Sequence, residues 1–424
     1  MADVAVIGTG YVGLTTGANM ARLGHHVTCA DVVSEKVDML NGGVVPFYEP
    51  GLEPLVREGI DGGRLRFVLG AAAAVRTAEF VFLCLPTPQG EDGSTDVSAI
   101  EACAREIGPL LPSESVVVNK STAPVGSSRM IGAALARDDV SVVANPEFLR
   151  EGSAVHDCLN PHRVVIGSDD QVAALRVASL YDRLNAPLIV TDPASAEAIK
   201  YAANAFLATK VSFVNAIANL CEAVGADVRE VVLGMGYDPR IGFEYLRPGP
   251  GWGGSCLPKD TRALVRMAEE AGYDFALLEG VLAVNEEQYE RVADKVVRMA
   301  GGSVAGKTVA VWGLAFKGRT DDVRESPSLH VIDRLRRRGA ATVKAYDPAV
   351  ERPVEGVESC ADPYAACDGA DVLAVLTDWD EFRRLDLDKV FDVMAEPRIV
   401  DARNLLDPAV VRRRGFQYDC LGRP

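Results

Sequence analysis

The sequence predicts an α/β chain with two doubly wound, parallel-sheet domains joined by a helical central domain and a long connecting helix. Three observations carry this expectation. Strand-like and helix-like segments alternate up to Thr191, an Ala-rich run without internal Gly or Pro then extends from Pro193 to about Val224, and the alternation restarts after Gly301-Gly302. Alternation of this kind builds a parallel sheet with helices on both faces.

In the first part the strand candidates are Val4–Ile7, His26–Asp31, Arg66–Leu69, Glu79–Leu85, Ser115–Asn119, Val140–Ala144, Arg163–Ile166 and Leu188–Thr191. Asp192-Pro193 reads as an N-cap with Pro at the first helical position. A second long helical run covers Phe275 to Met299, and the Gly- and Pro-rich stretch Gly242–Pro258 lies between the two runs. The third part offers strands at Thr308–Trp312, Thr342–Tyr346, Asp371–Leu376, Arg398–Val400 and Gln417–Asp419, with a helix from Ser328 to Arg338. Domains are therefore expected at 1–193, 194–302 and 303–424. Helices as long as the central pair suit a homodimer or higher homo-oligomer, because a small domain cannot cover them alone.

Composition narrows the function classes. A formal net charge of −16 argues against nucleic acid and against an anionic membrane surface, both of which need a broad basic face. No stretch reaches the ~18–20 apolar residues that cross a bilayer, and the N-terminus does not read as a signal peptide. Nine cysteines without a CxxC pair predict neither a disulfide framework nor a zinc site, so no metal is expected and a reducing cytoplasm fits.

The motif Gly8-Thr9-Gly10-Tyr11-Val12-Gly13 follows the first strand and opens a helix. Its glycines allow a tight turn and close backbone approach, and the helix N-terminus meets a pyrophosphate. Asp31 ends the second strand, where a carboxylate accepts from ribose hydroxyls. No Arg adjoins it to hold a 2′-phosphate, so the expected cofactor is NAD. The third part lacks this motif at its first turn, which argues against a second dinucleotide there and leaves the sheet's switch point open to a mononucleotide.

The chemistry centres on Gly251-Trp252-Gly253-Gly254-Ser255-Cys256-Leu257-Pro258-Lys259-Asp260. Cys256 precedes a helix start and lies near Lys259, a setting that favours the thiolate. Lys200 and Asn204 are spaced i, i+4 on the long helix and suit joint donation to an oxyanion. Asn145-Pro146-Glu147-Phe148-Leu149-Arg150-Glu151-Gly152 and Ser121-Thr122-Ala123-Pro124-Val125-Gly126 both follow strands, where open α/β sheets place ligands, and Glu147 is a candidate acid/base. A thiol able to hold an acyl group, an oxyanion pair and an NAD site together point to aldehyde-level oxidation through a thioester.

These segments, in this order and nearly end to end, resemble the UDP-glucose/GDP-mannose dehydrogenase family. The likeness also includes Pro46-Phe47-Tyr48-Glu49-Pro50-Gly51-Leu52-Glu53, Trp312-Gly313-Leu314-Ala315-Phe316-Lys317 and Arg324-Glu325-Ser326. The resemblance implies three domains with two Rossmann-like ends, and a four-electron oxidation of a nucleotide sugar's C6 alcohol using two NAD per turnover. Cys256 would capture the aldehyde as a thiohemiacetal and then carry the thioester. Lys200 and Asn204 would hold the oxyanion, Asp260 and Thr122 would position a proton-transferring water, and Glu147 would serve thioester hydrolysis.

By the same resemblance the cofactor would touch Gly8, Gly10, Tyr11, Val12, Gly13, Asp31, Lys36, Pro86, Thr87, Ser121, Thr122, Glu151 and Arg324. The substrate would touch Glu147, Phe148, Leu149, Arg150, Lys200, Asn204, Tyr245, Gly253, Cys256, Phe316, Lys317 and Arg403. Trp252 stands where many relatives carry Phe or Tyr and is expected to wall the substrate. The Leu257-Pro258-Lys259-Asp260 ending, Tyr48-Glu49-Pro50-Gly51 and Gly249-Pro250-Gly251 favour UDP-glucose, with GDP-mannose and TDP-glucose as the alternatives. A two-electron hydroxyacid or sugar-phosphate dehydrogenase and a catalytically dead NAD-binding scaffold are the more distant readings.

Overall fold

The computed structural model describes residues 1–90 and 93–424. Its strands are β1 (Asp3–Ile7), β2 (His26–Asp31), β3 (Leu65–Leu69), β4 (Phe80–Leu83), β5 (Val116–Asn119), β6 (Ser141–Ala144), β7 (Val164–Gly167), β8 (Leu188–Thr191), β9 (Thr308–Trp312), β10 (Thr342–Tyr346), β11 (Glu358–Ser359), β12 (Val372–Val375), β13 (Arg398–Asp401) and β14 (Gln417–Cys420). Its helices run α1 (Tyr11–Arg22), α2 (Ser34–Asn41), α3 (Leu52–Asp61), α4 (Ala71–Val75), α5 (Ser98–Ile107), α6 (Ser127–Leu135), α7 (Ala154–Leu159), α8 (Gln171–Ser179), α9 (Pro193–Val224), α10 (Val228–Gly236), α11 (Leu257–Glu270), α12 (Ala276–Met299), α13 (Pro327–Arg337), α14 (Pro363–Cys367), α15 (Leu387–Val393) and α16 (Pro408–Arg413).

Two sheets form. The first has eight strands in the order β3-β2-β1-β4-β5-β6-β7-β8 and is parallel except for the single β6–β7 pairing of Ala144 with Gly167. The second has six, in the order β11-β10-β9-β12-β13-β14, all parallel. Strands such as Val-Ala-Val-Ile and Phe-Val-Phe-Leu are apolar at every position because helices cover both faces. Their two-residue period sends Val4, Val6 and Phe82 into one core layer and Ala5, Val81 and Leu83 into the other. In the second sheet Val309 and Val311 face one layer, Ala310 and Trp312 the opposite one.

The chain divides into two compact units, Met1–Ala203 with Arg262–Glu270, and Asn204–Thr261 with Ala271–Pro424. Helix α9 begins as expected: Asp192 accepts from the Ser195 N–H at 2.9 Å, and Pro193 needs no partner. No helix among the described residues is long and apolar enough to cross a membrane. Helix α10 and the two-residue strand β11 were not expected from the sequence.

Candidate active site

In the first unit the expected cofactor residues gather at the carboxyl ends of parallel strands: Gly8 after β1, Asp31 closing β2, Pro86 and Thr87 after β4, Ser121 and Thr122 after β5. The strand order reverses between β1 and β4, and such switch points open the crevice that takes a dinucleotide. The motif's glycines divide the work. A Cβ on Gly13 would lie 1.9 Å from the Gly8 carbonyl, so only glycine lets α1 pack against its own turn. A Cβ on Gly10 would meet nothing within 4 Å, which leaves room above the helix N-terminus for a phosphate group. Tyr11 and Val12 form the first turn of that helix.

Asp31 accepts from the Thr9 N–H at 3.0 Å, the Thr9 hydroxyl at 2.6 Å and Lys36 Nζ at 3.0 Å. Partial burial opposes its charge, but these bonds outweigh that and hold the carboxyl at about 2. It is therefore an anion at any working pH. Lys36, expected at the cofactor, is its ion-pair partner. Ser121 stitches two strand ends together, receiving the Leu85 N–H at 2.8 Å and donating to the Leu85 carbonyl at 2.9 Å. These residues fit an NAD adenosine and pyrophosphate.

Two side chains to which the sequence assigned no role hold this half in place. Glu49, 6% exposed, is bonded by the Tyr11 hydroxyl and accepts from the Gly152 N–H at 2.6 Å and the Ala154 N–H at 2.8 Å. It thus ties α1 to the loop carrying Glu151 and to the start of α7. Glu197 accepts from the Gly126 N–H at 2.6 Å, the Ser128 N–H at 2.8 Å and the Ser128 hydroxyl at 2.7 Å. It thereby caps α6 from a distant helix and anchors the loop of Ser121 and Thr122. The visible signal for Glu197 was a carboxylate inside an Ala-rich run, one turn before Lys200; for Glu49 it was the Tyr48-Glu49-Pro50-Gly51 segment.

Lys200 and Glu147 form a buried ion pair at 2.8 Å, with side chains 4% and 5% exposed. Burial opposes ionisation of Glu147, yet Lys200, the Leu149 N–H at 2.6 Å and the field of Lys120 hold its carboxyl below the ordinary range. Phe148 lies beside this pair, its ring centre 5.6 Å from Lys200 Nζ and 3.5 Å from the Arg163 guanidinium. Arg150, expected at the substrate, forks onto Asp157 at 2.7 and 2.9 Å.

The second unit holds the thiol. Cys256 caps α11, its carbonyl accepting from the Asp260 N–H at 2.9 Å, and Ser255 Oγ stands 3.5 Å from Sγ. Asp260 is fully buried. It accepts from Asn204 Nδ2 at 2.6 Å and Lys259 Nζ at 2.7 Å. The ammonium expected near the thiol is thus committed to Asp260. Lys200 and Asn204 sit one turn apart on α9, each bonded to a carboxylate.

The glycine loop before Cys256 owes its composition to close packing: a Cβ on Gly253 would lie 1.9 Å from the Glu325 carbonyl. Trp252 departs from expectation. It is 5% exposed, packs with Ala208 and Val281, and donates from Nε1 to Ser212 at 2.8 Å. It is a core residue between α9 and α12 and not a pocket wall, because its indole N–H finds a partner only inside.

Several of the remaining second-unit residues follow β9 or bond the segment after it. Arg403 donates to the Leu376 carbonyl at 2.7 Å and the Phe316 carbonyl at 2.9 Å, and Lys317 Nζ lies 5.5 Å from the Phe316 ring centre. Tyr245 adopts φ 63° at the entry to the glycine loop. Arg324 grips Asp322 at 2.7 and 2.9 Å. Asp347 closes the first turn of this sheet, accepting from the Leu314 N–H at 2.7 Å and the Ala315 N–H at 3.0 Å.

Three family models match the chain: the NAD binding domain of the UDP-glucose/GDP-mannose dehydrogenase family over residues 2–185, its central domain over 194–287, and its UDP binding domain over 310–408. The chain is 45% identical to UDP-glucose 6-dehydrogenase TuaD of Bacillus subtilis (strain 168), covering 100% of this chain and 94% of that one. It is 44% identical to a UDP-glucose 6-dehydrogenase of Pseudomonas aeruginosa, covering 99% and 97%. Among solved structures, a UDP-glucose dehydrogenase from the archaeon Pyrobaculum islandicum superposes with a TM-score of 0.90 at 37% identity, covering 99% and 97%.

Proposed function

The chain belongs to the UDP-glucose/GDP-mannose dehydrogenase family, and we propose that it is an NAD-dependent oxidoreductase that converts UDP-glucose to UDP-glucuronate. The carrying observation is that Lys200 and Asn204, one turn apart on α9, each bond a carboxylate, Glu147 and Asp260 respectively, together with a helix-capping Cys256. Full-length relatives at 43–45% identity that are UDP-glucose 6-dehydrogenases support UDP-glucose over GDP-mannose and TDP-glucose.

Bound NAD supplies a hydride acceptor twice per turnover. Asp31 and the Gly8–Gly13 turn hold it, with Lys36, Pro86, Thr87, Ser121, Thr122, Glu151 and Arg324 assigned to its remaining contacts. The chain's own residues do the rest. Asp260 receives the alcohol proton through a water that Thr122 helps position. Cys256 Sγ adds to the C6 aldehyde, and Lys200 and Asn204 donate to the resulting oxyanion. Once that thiohemiacetal is oxidised to the thioester, Glu147 draws a proton from the attacking water. The thiol leaves and the carboxylate is released. Arg403, Lys317, Phe316, Tyr245, Gly253 and the Phe148–Arg150 backbone are assigned to the nucleotide and sugar.

The three-domain division at 193 and 302 belongs to the same proposal, as does a cytoplasmic setting. A homodimer is supported by Phe206, Phe213 and Leu220, spaced by seven on α9 and 65%, 49% and 55% exposed. An apolar stripe of this kind suits a second copy of the helix. Initial rates of NADH formation with UDP-glucose, GDP-mannose and TDP-glucose test the substrate. UDP-glucose is expected to lead by at least a hundredfold in kcat/KM, and a faster rate with either rival overturns the assignment.

A further inference from the structure

Within the first unit alone lies a cavity of about 90 Å³, lined in part by Glu147 and by the Phe148–Arg150 segment, into which none of the roles above places a ligand. A single buried water needs roughly 10–15 Å³ on that scale, so this space suits a small organic molecule. One side is apolar, made by Met20, Leu23, Val164 and Leu184. The loop from Asn145 to Arg150 also lines it.

The charge of the cavity is positive. Lys120, 7% exposed, donates to Asn145 Oδ1 at 3.1 Å, an atom that also accepts from the Tyr181 hydroxyl at 2.6 Å. No carboxylate lies within ion-pair distance of Lys120 among the described residues. Arg163 is stacked on Phe148 and likewise has neither a hydrogen-bond nor an ion-pair partner among them. The two carboxylates of the lining are already matched, Asp157 by Arg150 and Glu147 by Lys200. Thr16 and Asn19, 2% and 4% exposed, also line the space, and Thr16 Oγ1 and Asn19 Oδ1 are buried without partners. Of these the Thr16 hydroxyl has a hydrogen bond to give to an anion, whereas Asn19 Oδ1 only accepts and gains nothing from one.

We propose that this cavity binds a small organic monocarboxylate, its carboxylate between Lys120 and Arg163 and its short apolar body against Met20, Leu23 and Leu184. A planar carboxylate matches a guanidinium fork, and two cations outside any ion pair give the site its sign preference. Occupancy braces the Asn145–Arg150 loop and so regulates turnover. The regulatory half rests on the role given to Glu147 above, whereas the binding half stands without it.

Benzoate and pyruvate are the probes, titrated calorimetrically into the full chain without NAD or nucleotide sugar. Saturable binding of one molecule per chain is expected for at least one of them. It should weaken at least tenfold in Arg163→Gln, at a half-buried position, and in Lys120→Met, with circular dichroism and melting temperature showing that each variant is folded. Benzyl alcohol, with the same body and no charge, is expected not to bind. Saturating NAD and UDP-glucose should leave the binding in place, and the bound probe should change the NADH rate at least twofold. The site is overturned by absence of saturable binding, by unchanged affinity in Arg163→Gln, by displacement with NAD or UDP-glucose, or by equal binding of benzyl alcohol. Binding without any change of rate overturns the regulatory half. A chain that binds the probe but oxidises no nucleotide sugar keeps the site and fails the proposed function instead.

Discussion

Replacing Lys200 with Ala strands the Glu147 carboxylate in a site where its side chain is only 5% exposed. Breaking a buried pair by deleting one partner costs about 3–5 kcal/mol, because the remaining charge keeps its desolvation penalty. Glu147 retains the Leu149 N–H and the field of Lys120, which places the expectation near the lower end, about 3 kcal/mol. At ~2–4 °C per kcal/mol for a unit of this size, the melting temperature falls by roughly 6–12 °C.

The pH dependence carries the diagnosis. In the wild type the folded carboxyl lies below its unfolded value, so its contribution is complete above the unfolded value and fades as pH falls through the folded one. In Lys200→Ala the ammonium is gone and burial raises the folded carboxyl. The variant's deficit is then largest near neutral pH and shrinks on acidification, as a proton neutralises Glu147. Glu147→Gln in the Lys200→Ala background should restore most of the loss. Thermal melts of both variants from pH 8 to pH 5 provide the assay. A deficit that is constant or grows toward pH 5, or a double variant whose losses simply add, would refute the buried-pair account.

Three further outcomes are expected. Gly13→Ala, whose Cβ would meet the Gly8 carbonyl at 1.9 Å, should weaken NAD binding at least tenfold by fluorescence titration. Glu197→Ala leaves two N–H groups and a hydroxyl without their acceptor and should cost about 2–4 kcal/mol in denaturant melts, with Glu197→Gln costing less. Phe213→Glu should shift the chain toward monomer in light scattering at micromolar concentration, and an unchanged mass would remove α9 from the proposed interface.

The local pattern of the chain made much of this legible. Buried parallel strands are near-continuous apolar runs, so β1, β2 and β9 could be placed to within a residue; β8 is an apolar run that is exposed and β10 alternates buried with half-buried residues, yet both were placed as closely. Asp192-Pro193 marked the start of α9. Helix α10 escaped because Gly234 and Gly236 dilute its period, and β11 because two polar residues carry none. The site was legible as motifs but not as bonds. Nothing local joins Glu197 to Gly126, 71 positions away, or Glu49 to Gly152, 103 away. Trp252 misled for the same reason: proximity to Cys256 suggested a wall, while its partners Ser212 and Asn285 lie on helices far along the chain. The Lys120–Asn145–Tyr181 cluster was invisible because three separate elements contribute one side chain each.

The most direct test of the central claim is the NADH yield at completion from limiting UDP-glucose, for the wild type and for Cys256→Ser. The thioester route predicts two NADH per sugar from the wild type and near-complete loss of steady turnover in the variant. One NADH per sugar, or a variant that turns over undiminished, would contradict it.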